Sequence, residues 1–419
     1  MAPEPRRDLG NVMPLSAIND LLGAILPANA FYAAKLQDLR GIESLEEFGA
    51  RVPFTTKDEL AADHEAHPPY GSNLTFPQAN YTRFHQTSGT RGNPMVWLDD
   101  PAGWAWVLDS WQRVWKTAGA SSGESAFFPF SFGPFIGFWS AFEAATEMGI
   151  RAIPGGGLSS ENRLRMIQQH RPGFIACTPT YALHLANVGK QMGLPAETLG
   201  VEALIVCGEP GGSIPEVRER IQREWNARVV DHHGMTETGP VSVSDPEDPG
   251  ILQIFHQAYY AEVVETGSGR HVAPGEVGEL VLTTLGRYGS PLIRYRTGDL
   301  VRPVGIEGEG SGTFGLQGGI IGRADDMVVV RGVNLYPSAI EAVVRAVDGI
   351  GEYMVEVDER GDLPEVRVVI ETLEDSSAES ELEGRLRAVF SMRIPVRAVG
   401  AGSLPAHEVK AKRWKVIRE

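Results

Sequence analysis

Cysteine is nearly absent from this chain. Of 419 residues only Cys177 and Cys207 are cysteines, too few for a disulfide framework or a cysteine-built zinc site, and a number that suits a reducing compartment. Long apolar runs are missing as well. The aromatic-rich stretch Phe127 to Phe142 is broken by Pro129, Gly133, Pro134 and Gly137, so no segment approaches the roughly 18 uninterrupted apolar residues of a membrane span. Positive charge is in deficit. The chain has 38 Lys and Arg against 54 Asp and Glu, a formal net charge of -16, which disfavours nonspecific binding to nucleic acid or anionic lipid. No internal repeat occurs, and the first ten residues have no apolar core of signal-peptide length. These absences together imply a cytoplasmic globular protein with neither a nucleic-acid nor a membrane partner.

What is present is an ordinary globular composition, 42% hydrophobic and 22% charged, spread over a length that implies two or three domains at about 150 residues each. Thr56 before Lys57-Asp58-Glu59 reads as a helix N-cap with an acidic first turn. From about 84 to 235, strand and helix patterns alternate. Phe174–Cys177 and Ala203–Val206 are apolar runs of strand length, and Tyr181, Leu185, Val188 and Met192 recur at helical spacing. Ser213 and Glu216 have the spacing of a capping box, the helix they open ends near Trp225, and Arg228 to Asp231 begins another strand. That rhythm predicts a parallel sheet with covering helices, an α/β fold. Residues 251–301 read as antiparallel strands, and Gly305 to Gly319 as a loop or hairpin. After Gly322 a smaller pattern follows: a strand at Met327 to Val330, and a helix opened by Pro337 with Ile340, Val343, Val344 and Val347 on one face. Strands at Tyr353 to Val357 and Val366 to Ile370, a charged helix near 378–391 and a basic tail complete it.

Five segments carry chemistry-bearing residues, and each alone also reads as an ordinary turn or linker. Thr87-Ser88-Gly89-Thr90-Arg91-Gly92 offers hydroxyls, backbone N–H groups and a guanidinium to phosphate oxygens. His232-His233-Gly234-Met235-Thr236-Glu237 lies at the C-terminal end of a strand, where open α/β sheets bind ligands. There a hydroxyl and a carboxylate suit phosphate and magnesium. In Tyr295-Arg296-Thr297-Gly298-Asp299, the aspartate can accept both hydroxyls of a ribose. Arg323 can meet ribose or phosphate, and Asp325 sits where the composition changes. In the tail, one of Lys410, Lys412, Arg413 and Lys415 can neutralise charge developing on a transferring group.

The order and spacing of these segments resemble the adenylate-forming superfamily of acyl-CoA ligases, adenylation domains and luciferases, and most closely its phenylacetate-CoA ligase branch. PFTTKDEL (53–60), RPGFIACTPTYALHLA (171–186), GEPG (208–211), IRYRTGDL (293–300) and GRADDMVVVRGVNLYPSAIE (322–341) carry the likeness, which runs from about residue 40 to the C-terminus. The resemblance implies a large N-terminal ATP- and acyl-binding domain, residues 1–323, with sheets and covering helices. It implies a small mobile α+β domain, residues 324–419, hinged at Asp325. It assigns Thr87, Ser88, Gly89, Thr90, Arg91 and Gly92 to the phosphates, and Gly208, Glu209 and Pro210 to the adenine. His233 stands where the family has an aromatic residue against the purine. Thr236 is implied at the α-phosphate, Glu237 as a magnesium ligand, Asp299 and Arg323 at the ribose. Lys410 is the implied catalytic lysine, with Lys412 its rival.

The implied reaction uses ATP and Mg2+ to make an acyl-adenylate. The small domain then rotates, and the acyl group passes to CoA over the surface around Arg331-Gly332-Val333. The phosphate loop departs from the family at Arg91 and at Asn93, where a lysine is usual. Some relatives hold a cysteine-ligated zinc after the Thr-Glu motif, and the absence of cysteine there predicts none in this chain. Phe130, Phe132, Phe135 and Ile136, with Cys207, Gly234 and Gly239, are assigned to the acyl pocket, and aromatics interleaved with glycine suit a flat aromatic monocarboxylic acid. Two other functions stay open at this level. One is transfer to a carrier-protein thiol, an amine or another small nucleophile. The other is a nucleotide-binding regulator without catalysis. A homodimer is compatible with all three.

Overall fold

The computed structural model describes residues 14–87, 94–305, 314–324, 328–330, 333–358, 360, 364–372, 377–390, 392–405 and 413–417. Ser88 to Gly92, Asn93, Asp325, Arg331, Gly332, Lys410 and Lys412 lie outside the described residues.

The alternating middle of the chain forms a nine-stranded sheet. Its five parallel strands lie side by side in the order Arg151–Pro154, Ser125–Phe128, Phe174–Cys177, Ala203–Val206 and Arg228–Met235. Phe174–Cys177 and Ala203–Val206 are buried at every position, which is why they read as unbroken apolar runs: helices cover both faces. Four antiparallel strands extend the sheet, Gly239–Ser244, Ile251–Ile254, Gly315–Gln317 and Pro303–Val304.

On one face, helices Pro101–Thr117 and Ile136–Glu147 are packed between this sheet and a second, antiparallel one made of Tyr259–Val264, Gly278–Thr284, Tyr295–Val301 and Gly322–Arg323. Trp111 and Trp115 fill that layer and are almost fully buried. Each is worth roughly 4–6 kcal/mol of transfer free energy at about 25 cal/mol per Å2. The other face carries Ser160–His170, Pro179–Gln191 and Pro215–Trp225 over a separate apolar cluster. Helices before residue 52 pack on Tyr260, Leu285 and Ile293 of the second sheet region.

Local signals decide most boundaries. Thr56 caps Lys57–Ala66 and Glu59 returns the bond, a complete capping box. The Ser213/Glu216 expectation fails. The helix begins at Pro215 with Ile214 as an N-cap that makes no side-chain bond, because the Ser213 hydroxyl donates instead to Asp231 Oδ2 at 2.5 Å. A buried carboxylate competes for the hydroxyl more strongly than a helix N–H does.

The C-terminal residues build an α+β unit with its own core. Helices Pro337–Arg345 and Ala378–Phe390 cover a sheet of Val396–Gly400, Glu365–Thr372, Ile350–Asp358 and Trp414–Ile417. The predicted face Ile340, Val343, Val344 and Val347 is buried there. The tail ends as a strand parallel to Ile350–Asp358. Among the described residues, no helix is long and apolar enough to cross a membrane.

Candidate functional site

The parallel strands all end on one edge, and the predicted motifs collect there. Ser125–Phe128 leads into the Phe130–Phe135 segment, Phe174–Cys177 into Thr178-Pro179-Thr180, Ala203–Val206 into Cys207-Gly208-Glu209-Pro210, and Arg228–Met235 carries His232 and His233 before Thr236 and Glu237. This is the edge at which open α/β sheets bind ligands.

His232 and His233 are neighbours in an extended strand, so their side chains point to opposite faces. His232 packs against Trp111, with ring centroids 4.4 Å apart, and its Nδ1 is 2.8 Å from the Ser242 carbonyl. Burial pushes its pKa down to about 4, so it is a neutral core residue. His233 faces the other way. Its Nε2 is 3.0 Å from Asp299 Oδ2, and Arg323 Nη1 donates to Asp299 Oδ1 at 3.0 Å. Two predicted nucleotide residues, His233 and Arg323, therefore share the carboxylate of a third, Asp299. Strand register explains it, since Asp299 and Arg323 are directly opposed in the antiparallel pair. His233 Nδ1 is buried with no hydrogen-bond partner, a polar atom left for a ligand to satisfy.

The Thr236–Thr238 turn is held by residues that the motifs do not contain. Arg287, fully buried, forks onto Asp99 through Nε and Nη2 at 2.6 and 2.7 Å, and its Nη1 donates to the Glu237 carbonyl at 2.6 Å. Burial alone would lower the guanidinium pKa; Asp99 more than offsets it, and the net shift is upward. The Tyr259 hydroxyl donates to the Thr238 carbonyl at 2.8 Å. Gly234 sits at a register shift in the hairpin, where an added Cβ would lie 2.7 Å from the Gly239 carbonyl oxygen. Gly239 has φ +84° behind Val107 and Tyr259, so it shapes the turn from within.

The Glu237 carboxylate is buried, and its Oε1 is 3.3 Å from Nζ of the half-exposed Lys57. Lys57 is the first residue of the capped helix, and no chemistry was expected of it from sequence. Among the described residues, no three or more His, Cys, Asp or Glu side chains converge. A lone carboxylate fits magnesium, which takes one or two carboxylates and completes its shell with phosphate and water oxygens.

Thr87 stands at the start of the predicted phosphate loop. Its hydroxyl accepts the Met95 N–H at 3.0 Å, and its own N–H donates to the Met95 carbonyl at 2.9 Å. One residue earlier, the Gln86 N–H donates to the Pro134 carbonyl at 2.8 Å, tying the loop to the Phe130–Phe135 segment. Gly208, at φ +91°, and Pro210 are exposed. Glu209 turns back, its Oε1 accepting the Thr180 N–H at 2.8 Å.

In the segment predicted to line the acyl pocket, Phe130 and Ile136 join the core, whereas Phe132 and Phe135 stay partly exposed. Phe132 lies 5.6 Å from Phe130, 5.2 Å from Phe142 and 4.7 Å from Trp139. Cys207 packs beside this core, and burial pushes its thiol up to about 12. A thiol held protonated in this way packs rather than attacks.

Comparison with known proteins agrees with this geometry. Residues 85–286 match the AMP-binding enzyme family and residues 332–417 match the AMP-binding enzyme C-terminal domain. A phenylacetate-coenzyme A ligase of Thermus thermophilus is 32% identical over 343 residues, 80% of this chain and 75% of that protein. A solved 2-hydroxyisobutyryl-CoA ligase in the postadenylation state, with 2-HIB-AMP, superposes with a TM-score of 0.89 at 28% identity, covering 96% of this chain and 89% of that one. The same ligase with 2-HIB-AMP and CoA in the thioesterification state gives 0.71, covering 100% and 91%. Fold and site together define an adenylate-forming enzyme. The chain belongs to the phenylacetate-CoA ligase family of AMP-forming acid–CoA ligases, which use ATP to activate a carboxylic acid as an acyl-adenylate and pass the acyl group to CoA.

Proposed function

We propose that the acid is an arylacetic or related flat aromatic monocarboxylate, with phenylacetate the first candidate. The observation that carries this is the partly exposed Phe132, set edge-on to Phe130 and Phe142 and packed on the same core as Cys207. Such a wall favours an aromatic ring by offset and edge contacts. The naming of the Thermus thermophilus relative supports the same choice.

In this proposal Asp299 accepts the ribose hydroxyls, and His233 and Arg323 hold its carboxylate in place. His233 also lies against the purine beside Gly208, Glu209 and Pro210. Thr236 meets the α-phosphate. Glu237 carries Mg2+ and Lys57 stands next to it. Ser88 to Gly92 cradle the β- and γ-phosphates, with Arg91 in the position of most cationic weight. Lys410 supplies positive charge as the carboxylate attacks the α-phosphorus and pyrophosphate leaves. Residues 1–323 and 324–419 are taken as the two domains, with the hinge at Asp325, and the compartment as a reducing cytoplasm.

ATP–pyrophosphate exchange with phenylacetate, benzoate and 2-hydroxyisobutyrate tests the substrate. Phenylacetate is expected to give the largest kcat/KM. A preference for 2-hydroxyisobutyrate would discard the aromatic assignment and leave the ligase chemistry intact.

A further inference from the structure

We infer that Arg413 is a positioning residue whose hydrogen bond to Thr180 docks the C-terminal unit on the nucleotide edge for the adenylation half-reaction and is released for thioester formation. The inference rests on the two-step ligase chemistry above.

Arg413 is rigidly held within its own unit. Its Nε and Nη2 fork onto Glu352 at 2.6 and 3.1 Å, its Nη1 is 3.3 Å from Glu341 Oε2, and the guanidinium lies 4.9 Å from the Tyr353 ring centroid. Two carboxylates already satisfy the charge, so the small unit does not need a third partner. Yet Nη1 also donates to Thr180 Oγ1 at 3.1 Å, across 233 positions of sequence.

Thr180 is the second residue of helix Pro179–Gln191, and its N–H donates to Glu209 Oε1. One residue thus touches the Gly208-Glu209-Pro210 segment through its backbone and the C-terminal unit through its side chain. Lys410 is three positions before Arg413 in the chain.

The remainder of the contact holds a hydrogen bond between neutral groups, from the Ser338 hydroxyl to the Ile321 carbonyl, the packing of Ala342 on the large region's apolar cluster, and a repulsion. Helix Pro337–Arg345 packs on Pro215–Trp225, which brings Arg345 near Arg220. Burial first, and Arg345 second, lower the Arg220 pKa, and Glu224 and Asp348 offset only part of this. Arg345 is paired with Glu341 at 2.9 Å, which offsets part of that repulsion, and in a contact that must separate each cycle one charge-assisted hydrogen bond is able to tip the balance. The arrangement described here also superposes better on the postadenylation than on the thioesterification state of the related ligase.

Thr180→Val removes the acceptor and keeps the shape. Removing Arg413 instead would strand two buried carboxylates. The population is read without substrate, by pulsed electron–electron distances in the full chain between spin labels at E197C and V389C, both exposed. Thr180→Val is expected to add a second distance population, and T180S to restore one. An unchanged distribution overturns the inference.

The half-reactions are then separated using phenylacetate and preformed phenylacetyl-adenylate. Exchange should fall about tenfold, the scale of one hydrogen bond to a charged group, while thioester formation from the added adenylate and CoA holds or rises. An equal fall in both means a merely structural role and overturns it as well. If the wild-type chain exchanges nothing with phenylacetate, the substrate assignment fails, and the distance measurement still decides the docking.

Discussion

At the residue scale, the site depends on side chains that belong to no motif. Arg287 and Asp99 are buried, bidentate and 188 positions apart. Arg287→Met alone would leave the Asp99 carboxylate buried and unpaired, at a cost of about 3–5 kcal/mol. Adding Asp99→Leu should recover most of that stability without recovering exchange activity, because the Glu237 carbonyl has still lost its donor. Denaturant unfolding and exchange assays on the single and double variants check both halves. His232 gives a pH signature. Its folded pKa of about 4 lies below the unfolded value of 6.5. The unfolded chain therefore binds the proton first as pH falls, and stability drops between about 6.5 and 4, with full stability above that window. His232→Asn should flatten the curve between pH 6.5 and 5; an unaltered slope in denaturation midpoints would show that another group titrates there.

At the scale of elements, the hairpin of Arg228–Met235 and Gly239–Ser244 aims His233 and Glu237, and its glycines are steric requirements. Gly234→Ala drives a methyl to 2.7 Å from a backbone oxygen. The strands must part, costing about 1–3 kcal/mol and displacing the turn. The KM for ATP should rise, with far-UV circular dichroism unchanged. The strands and helices themselves were legible in sequence, since apolar runs and 3.6-residue periodicity act locally: Phe174–Cys177, Ala203–Val206, the Thr56 cap and the Pro337 helix appear where expected. Ser213 was not legible as a partner of Asp231, because a local capping pattern says nothing about a strand that arrives 18 positions later. Lys57, Asp99, Tyr259, Arg287 and Thr180 were missed for the same reason. Each acts through a contact fixed by packing; Asp99, Tyr259 and Arg287 lie outside every motif, and the motifs that contain Lys57 and Thr180 do not say what those side chains meet.

At the scale of the whole molecule, separate apolar clusters underlie the large region and the C-terminal unit. Separate cores joined through a modest contact should melt apart. Calorimetry is expected to show two transitions, with ATP plus acid raising both as the units are bridged; one transition that ligands leave unmoved would argue for a single cooperative body. The sequence by itself determined the alternating α/β class, the α+β C-terminal unit and the order of motifs that marks an adenylate-forming ligase, because short-range patterning and motif spacing are properties of the chain. Only the tertiary structure decided that His232 is core while His233 joins Arg323 on the Asp299 carboxylate, that Arg287 holds the Glu237 turn, and that Arg413 reaches Thr180. Those choices follow from strand register and from the need to pair buried charge, and both are settled only when distant segments meet.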